Sequence, residues 1–323
     1  MKAKWIRVHI RRKIDAWLDS ITDTQLRADL KDKVVVTGGC IASMLLGEKV
    51  NDFDVYFRDA QIARRVADYY VHQWNVAQEE KAKARIEAAA GKRGRPPSIP
   101  VPVTIADRAD GAGFKLYVKS AGVVGEDNED DYAYFESTDP LLDNGQQDFL
   151  DAATDVAESV EGEDQNPAYR PVFISANAIS LHGRVQLVFR FYGEPDQIHE
   201  NYDFVHCTNY WTSWDGLTLK AEALEALLAR ELRYVGSRYP ICSIFRARKF
   251  ITRGWTITAG QMFKIAHQVS KLDLSNYATL EDQLIGVDTA YFSQVLAALR
   301  KDKAETDQTV DETYLIALID KVF

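Results

Sequence analysis

Residues 34–57 read VVVTGGCIASMLLGEKVNDFDVYF. Val34 to Thr37 is a short β-branched run that stops at Gly38-Gly39, the pattern of a buried strand. Cys40 to Leu46 has helical composition and ends at Gly47, a helix stop. Phe53 to Phe57 alternates and predicts a second strand. Glycine lets backbone approach an anion with no Cβ in the way, and the N–H groups that open a helix point at such an anion. Asp52 and Asp54 are spaced i, i+2, so on a strand they share one face, with Phe53 buried opposite. Two adjacent carboxylates repel unless a cation lies between them. Oxygen donors at this spacing suit Mg²⁺ held jointly with substrate phosphates.

This stretch resembles the signature of the DNA polymerase β-like nucleotidyltransferase superfamily: strand, Gly-Gly or Gly-Ser, helix, then Asp-x-Asp on the next strand. The spacing of GGCIASMLLG is similar to the GGxVRDxLLG form of tRNA CCA-adding enzymes and bacterial poly(A) polymerases. Ala42 and Ser43 stand where that subfamily has Arg and Asp, and no RRDFTIN-like motif follows. The resemblance implies an α+β fold, a nucleotidyltransferase-like head built on a mixed β-sheet. It also implies transfer of a nucleoside monophosphate from an NTP to a hydroxyl, with Mg²⁺ or Mn²⁺ at Asp52 and Asp54. Members usually add a third carboxylate from a neighbouring strand. Asp203, in NYDFVHC, is the candidate, with Asp196, Glu194 and Asp215 as weaker competitors; on a strand over 202–211, Asp203, Val205 and Cys207 would share a face.

Outward from this core the chain keeps its mixed character. Residues 2–30 predict one or two amphipathic helices, with Trp5, Val8, Ile14, Trp17, Leu18, Ile21 and Leu26 as the apolar set. Residues 60–90 predict a long helix. Gly91 to Pro102 holds two glycines and four prolines and breaks the pattern, and Phe114 to Lys119 is strand-like. Val172–Ile179 and Val185–Tyr192 predict a hairpin about His182-Gly183, and Pro195 opens a short helix. Leu219–Leu232 is helical, Thr258 and Gln261 form a candidate capping box for a helix of about 260–270, and the tail is helical to Phe323. The expected organisation is a helical segment 1–33, a head 34–215 with an insertion at about 91–169, and a helical region 216–323.

Charge is uneven. The chain of 323 residues has a net charge of -9, yet residues 120–169 contain 15 Asp or Glu and no Lys or Arg, so the other 273 residues carry +6. A basic body suits a polyanionic partner. Leu232–Arg253 holds six basic residues and no acid. On a helix over 243–253, Arg246, Lys249 and Arg253 would share a face and clamp a triphosphate or an RNA backbone, while Ile244, Ala247 and Ile251 would face the core. Arg190 is a further inward-facing candidate. KRGRPP, residues 92–97, resembles an AT-hook core, making Arg93 and Arg95 candidate DNA contacts. Trp211 and Trp214 are candidates for stacking a base.

Other chemistry is excluded. The three cysteines are widely spaced without CxxC, the six histidines lack ligand spacing, and neither GxSxG nor GxxxxGK[ST] occurs. With no apolar run long enough to span a membrane, the expectation is a cytoplasmic enzyme. Its partners would be an NTP and an acceptor, RNA first, then a small molecule or protein. An inactive relative that kept the fold is the alternative.

Overall fold

The computed structural model describes residues 2–89, 99–108, 113–117 and 169–284, together with positions 313, 316 and 317. Arg93, Arg95, the acidic stretch 120–168 and most of the tail beyond 284 lie outside the described residues. The chain is a mixed α+β protein. Among the described residues no helix is long and apolar enough to cross a membrane.

Helices α1 (Ala3–Asp19) and α2 (Thr24–Leu30) lead into β1 (Val34–Thr37), α3 (Gly39–Leu46), β2 (Phe53–Phe57) and the long α4 (Ala60–Ala89). A small hairpin, β3 (Thr104–Asp107) and β4 (Phe114–Tyr117), forms a separate two-stranded sheet. Strands β5 (Pro171–Ile174), β6 (Ala178–Leu181) and β7 (Val185–Tyr192) follow. Helix α5 (Pro195–His199), a 3-10 turn (Val205–Cys207), β8 (Tyr210–Thr212) and β9 (Gly216–Thr218) complete the head. Helices α6 (Ala221–Ala229), α7 (Pro240–Thr252), α8 (Ala259–Val269) and α9 (Tyr277–Leu284) close the described chain.

The seven-stranded sheet runs β5-β6-β7-β2-β1-β8-β9. Every neighbouring pair is antiparallel except β2 and β7, which run parallel with Asp54 beside Gln186. One face of the sheet carries the main core. Ile6, Ile10, Ile14 and Trp17 of α1 pack there with Ile62, Val66 and Tyr70 of α4 and with Val55, Phe57, Leu187 and Phe189 of the sheet. The buried α1 positions recur every three to four residues, the helical period, and through them the N-terminal segment packs on the sheet. Trp5 and Val8 fall off that stripe and stay 60% and 48% exposed. The opposite sheet face bears a smaller cluster of Val35, Tyr56, Val188 and Ile198. A third cluster joins Ala42 of α3 to Phe204, Leu227, Ala247, Trp255 and Ile265, seating the C-terminal helices on the head.

Several local expectations are corrected. The run 172–179 is two strands, because Ser175 Oγ accepts the amides of Asn177 and Ala178 and turns the chain. The run 202–211 is strand only at Tyr210–Thr212. Thr258 makes no side-chain cap on α8; Gln261 instead accepts the amide of Tyr234 at 2.9 Å. A capping box does occur on α5, between Glu194 and Gln197. On α7 the buried residues include Ser243 and Ala247, whereas Ile244 and Ile251 are 45% and 43% exposed.

Candidate active site

Thr37, the last residue of β1, is wholly buried and held from three sides. Its hydroxyl lies 2.8 Å from His199 Nε2, donates to Asn209 O at 2.9 Å and reaches Cys207 O at 3.3 Å. His199 Nδ1 stands 3.3 Å from Lys220 Nζ, which also pairs with Asp196 at 2.6 Å. Burial, followed by the charge of Lys220, pushes the His199 pKa down to about 4. The imidazole is therefore neutral at ordinary pH and serves as a fixed hydrogen-bonding strut.

The chain then enters Gly38 at φ 94° and ψ -150°, a conformation essentially reserved for glycine. The Gly38 amide donates to Cys207 O at 3.2 Å. A Cβ placed on Gly38 would lie 2.9 Å from Asp54 Oδ2 and 3.5 Å from the Tyr202 hydroxyl. The turn that opens α3 thus packs directly on the carboxylate of β2. A Cβ on Gly39, by contrast, would meet no atom of the described residues within 4 Å.

Asp52 and Asp54 fall on one side of β2, and the Gln186 amide group bridges them. With its nitrogen turned to the acids, Gln186 Nε2 donates to Asp54 Oδ1 at 2.9 Å and to Asp52 Oδ2 at 3.0 Å. Nearby acidic groups register the charge of the pair. The Tyr56 hydroxyl, bonded to Tyr202 at 3.0 Å, is pushed well above its usual pKa by burial and then by Asp54. The Cys40 thiol is pushed up by burial, then by Asp54 and Asp52. Two carboxylates thus lie side by side next to the first turn of α3, whose free amides suit an anion.

Asp203 takes another course. It precedes the 3-10 turn on a segment that pairs with residues 233–235: Val235 N donates to Asp203 O, Val205 N to Arg233 O, and Phe204 bridges to Tyr234. Its carboxylate is bonded by Arg246 Nη1 at 2.8 Å. Among the described residues no three His, Cys, Asp or Glu gather as a metal set, so Asp203 does not complete one with Asp52 and Asp54. Arg246 nonetheless acts on both Tyr56 and Cys207, two groups that also feel Asp54. Lys249 lies in the last turn of α7 and Arg253 at its C-cap, where positive charge complements the helix dipole. Arg190 is buried against the Tyr239 ring, 4.5 Å to the centroid, and lies 3.6 Å from Asp282. Trp211 is buried in the main core and Trp214 lies under Arg58. Gln186 escapes the sequence reading because its relation to Asp54 depends on a pairing between distant strands.

A family model described as Gad2, Gabija anti-defense 2 family protein, matches residues 9–230. The Gabija anti-defense 2 protein of Bacillus phage SPbetaL7 is 22% identical over 142 residues, 43% of this chain and 33% of that protein. The match therefore spans a third of the length of this curated relative. Among solved structures, a tRNA-processing enzyme with CTP gives a TM-score of 0.35 at 10% identity, covering 91% of this chain and 57% of that one.

Proposed function

The chain belongs to the Gabija anti-defense 2 family, and from that premise we propose that it opposes a defence system by metal-dependent nucleotidyl transfer. The reaction is attack of an acceptor hydroxyl on the α-phosphorus of an NTP, with release of pyrophosphate. The observation that carries this reading is the seat of the Asp54 carboxylate against Gly38, which sets two acids beside the N-terminus of α3.

In this reading Asp52 and Asp54 hold Mg²⁺ or Mn²⁺. Such an ion would supply positive charge against the triphosphate and would lower the pKa of the acceptor hydroxyl. The chain's own groups do the positioning. Amides of the first turn of α3 meet the phosphates. Asp203 fixes the Arg246 guanidinium, which stabilises charge growing on the leaving pyrophosphate. Lys249 and Arg253 extend the positive surface along α7. Tyr56 and Tyr202 keep their protons and line the site as neutral hydroxyls. With charge neutralisation and alignment supplying the acceleration, no nucleophilic Ser or Cys is needed.

RNA is the acceptor that charge favours, given the +6 borne outside residues 120–169. A protein acceptor is the second reading, favoured by the anti-defense description of the family. The test incubates the full chain with each of four α-³²P-labelled NTPs, Mn²⁺ or Mg²⁺, host RNA and host protein. Label on RNA that Asp52→Asn and Asp54→Asn both abolish supports the first reading. Label on protein supports the second, and no label on either overturns nucleotidyl transfer to a macromolecule.

A further inference from the structure

Gln186 stands where the acidic pair meets the neighbouring strand. Its parallel register with Asp54 sets it beside the carboxylates. The terminal atom of its amide lies 2.9 Å from Asp54 Oδ1 and 3.0 Å from Asp52 Oδ2. These are ordinary N–H···O hydrogen-bond lengths, and they also equal the ~3.0 Å expected between neighbouring oxygens that share a Mg²⁺ at ~2.1 Å. With nitrogen at that position, the amide donates to both acids and takes over the neutralising role of a cation. With oxygen there, three oxygens converge, an arrangement that a cation between them would stabilise. A half-turn of one amide interconverts the two arrangements with no backbone movement.

We propose that Gln186 is the third protein ligand of the divalent cation. It clasps Asp52 and Asp54 through its nitrogen in the cation-free protein and turns its oxygen to the ion on binding. This rests on the reading that Asp52 and Asp54 take such an ion. A neutral third donor leaves the protein shell with a charge of about -2, which one divalent ion balances. The next acid, Asp203, is already paired with Arg246. The protein alone therefore takes one ion, and any second ion arrives with the nucleotide phosphates.

The test uses the full chain and Mn²⁺ without nucleotide, with free aquo-Mn²⁺ followed by electron paramagnetic resonance and melting followed in EDTA. Wild type is expected to bind one Mn²⁺. Gln186→Met, which keeps the volume but neither donates nor ligates through oxygen, is expected to bind at least tenfold more weakly. Gln186→Glu, which keeps an oxygen and adds a charge, is expected to bind at least tenfold more tightly. Both variants should melt below wild type in EDTA, since neither can clasp the pair. Gln186→Met binding as tightly as wild type, or more tightly, would mean that the amide only competes with the ion, and the proposal falls. Should the Met variant not fold, unweakened binding by the shorter Gln186→Asn overturns it equally. If wild type takes up no more Mn²⁺ than Asp52→Asn, the cation reading fails as well.

Discussion

Gly38 and Gly39 are neighbours in the sequence, but the structure assigns them opposite tolerances. Gly38→Ala forces a Cβ into a glycine-only region of backbone space, at φ 94°, which costs roughly 1–3 kcal/mol. The new atom would also sit 2.9 Å from Asp54 Oδ2, tighter than ordinary van der Waals contact, so the carboxylate has to swing away from Gln186. Losing one hydrogen bond to a charged group adds about 1.5–3 kcal/mol. Part of this is recovered as the side chain finds solvent, so a total near 3 kcal/mol is expected. Gly39→Ala meets open space and starts a helix with the best helix former, so it should be neutral or stabilising by up to about 1 kcal/mol. Urea unfolding of the two variants, with Mn²⁺ uptake measured alongside, checks the pair. Gly38→Ala should lose both stability and uptake, and Gly39→Ala neither. Equal effects at the two positions would refute the claim that Gly38 is required for its conformation and for the approach of Asp54.

Other expectations follow from the same geometry. Asp52→Asn and Asp54→Asn should abolish nucleotide incorporation while melting near the wild-type temperature in EDTA, because relief of repulsion offsets a weaker bond to Gln186; retained incorporation would sink the mechanism. Arg246→Ala and Asp203→Ala should each cost about 1–3 kcal/mol in urea, the scale for a partly buried charged pair, and the double variant should cost less than their sum. Additive losses would mean that the 2.8 Å contact contributes little. His199 and His206 both have pKa values pushed down to about 4, in each case chiefly by burial. The unfolded chain therefore takes up these protons first. Their contribution is intact above pH ~6.5 and is lost as pH falls towards 4, at about 1.4 kcal/mol per pH unit for each histidine. His206, enclosed by Phe250 and Trp255 with neither ring nitrogen hydrogen-bonded among the described residues, is the cleaner probe: His206→Phe should flatten the fall in urea midpoint between pH 6.5 and 4.5, and an unchanged slope would refute this.

The head of the fold was legible because its signals are local. The β-branched run before Gly38, the stop at Gly47 and the alternation across Phe53–Phe57 each reside in a few adjacent residues, and β1, α3 and β2 appear where they point. The hairpin around Gly183 and the helix opened by Pro195 were legible for the same reason. What failed depended on distant partners. Asp203 looked like a strand acid because nothing near it in sequence announces Arg246 or the pairing with residues 233–235. Gln261 looked like half of a capping box because its actual partner, the Tyr234 amide, is 27 residues away. Ile244, Ala247 and Ile251 were assigned inward together from helical spacing; Ala247 does join the third cluster, with Phe250 packed against it, but Ile244 and Ile251 stay exposed. Gln186 carried no signal at all, since an amide in an alternating strand is informative only once its neighbour is known.

The parallel pairing of β2 with β7 has a consequence in time. Asp54 and Gln186 are 132 positions apart, so a nascent chain carries the acidic pair through the addition of 132 more residues before its clasp exists. Pairings of such long range slow folding. At equilibrium the penalty is small: stretching a crossover from ~30 to ~130 residues is about two doublings and costs only about 1.2 kcal/mol. The connections within that stretch, as distinct from α4, β5 and β6, which pack in the main core, can therefore lengthen at little thermodynamic cost. Genetic insertion there would alter how quickly the acids acquire their clasp while leaving the finished geometry unchanged.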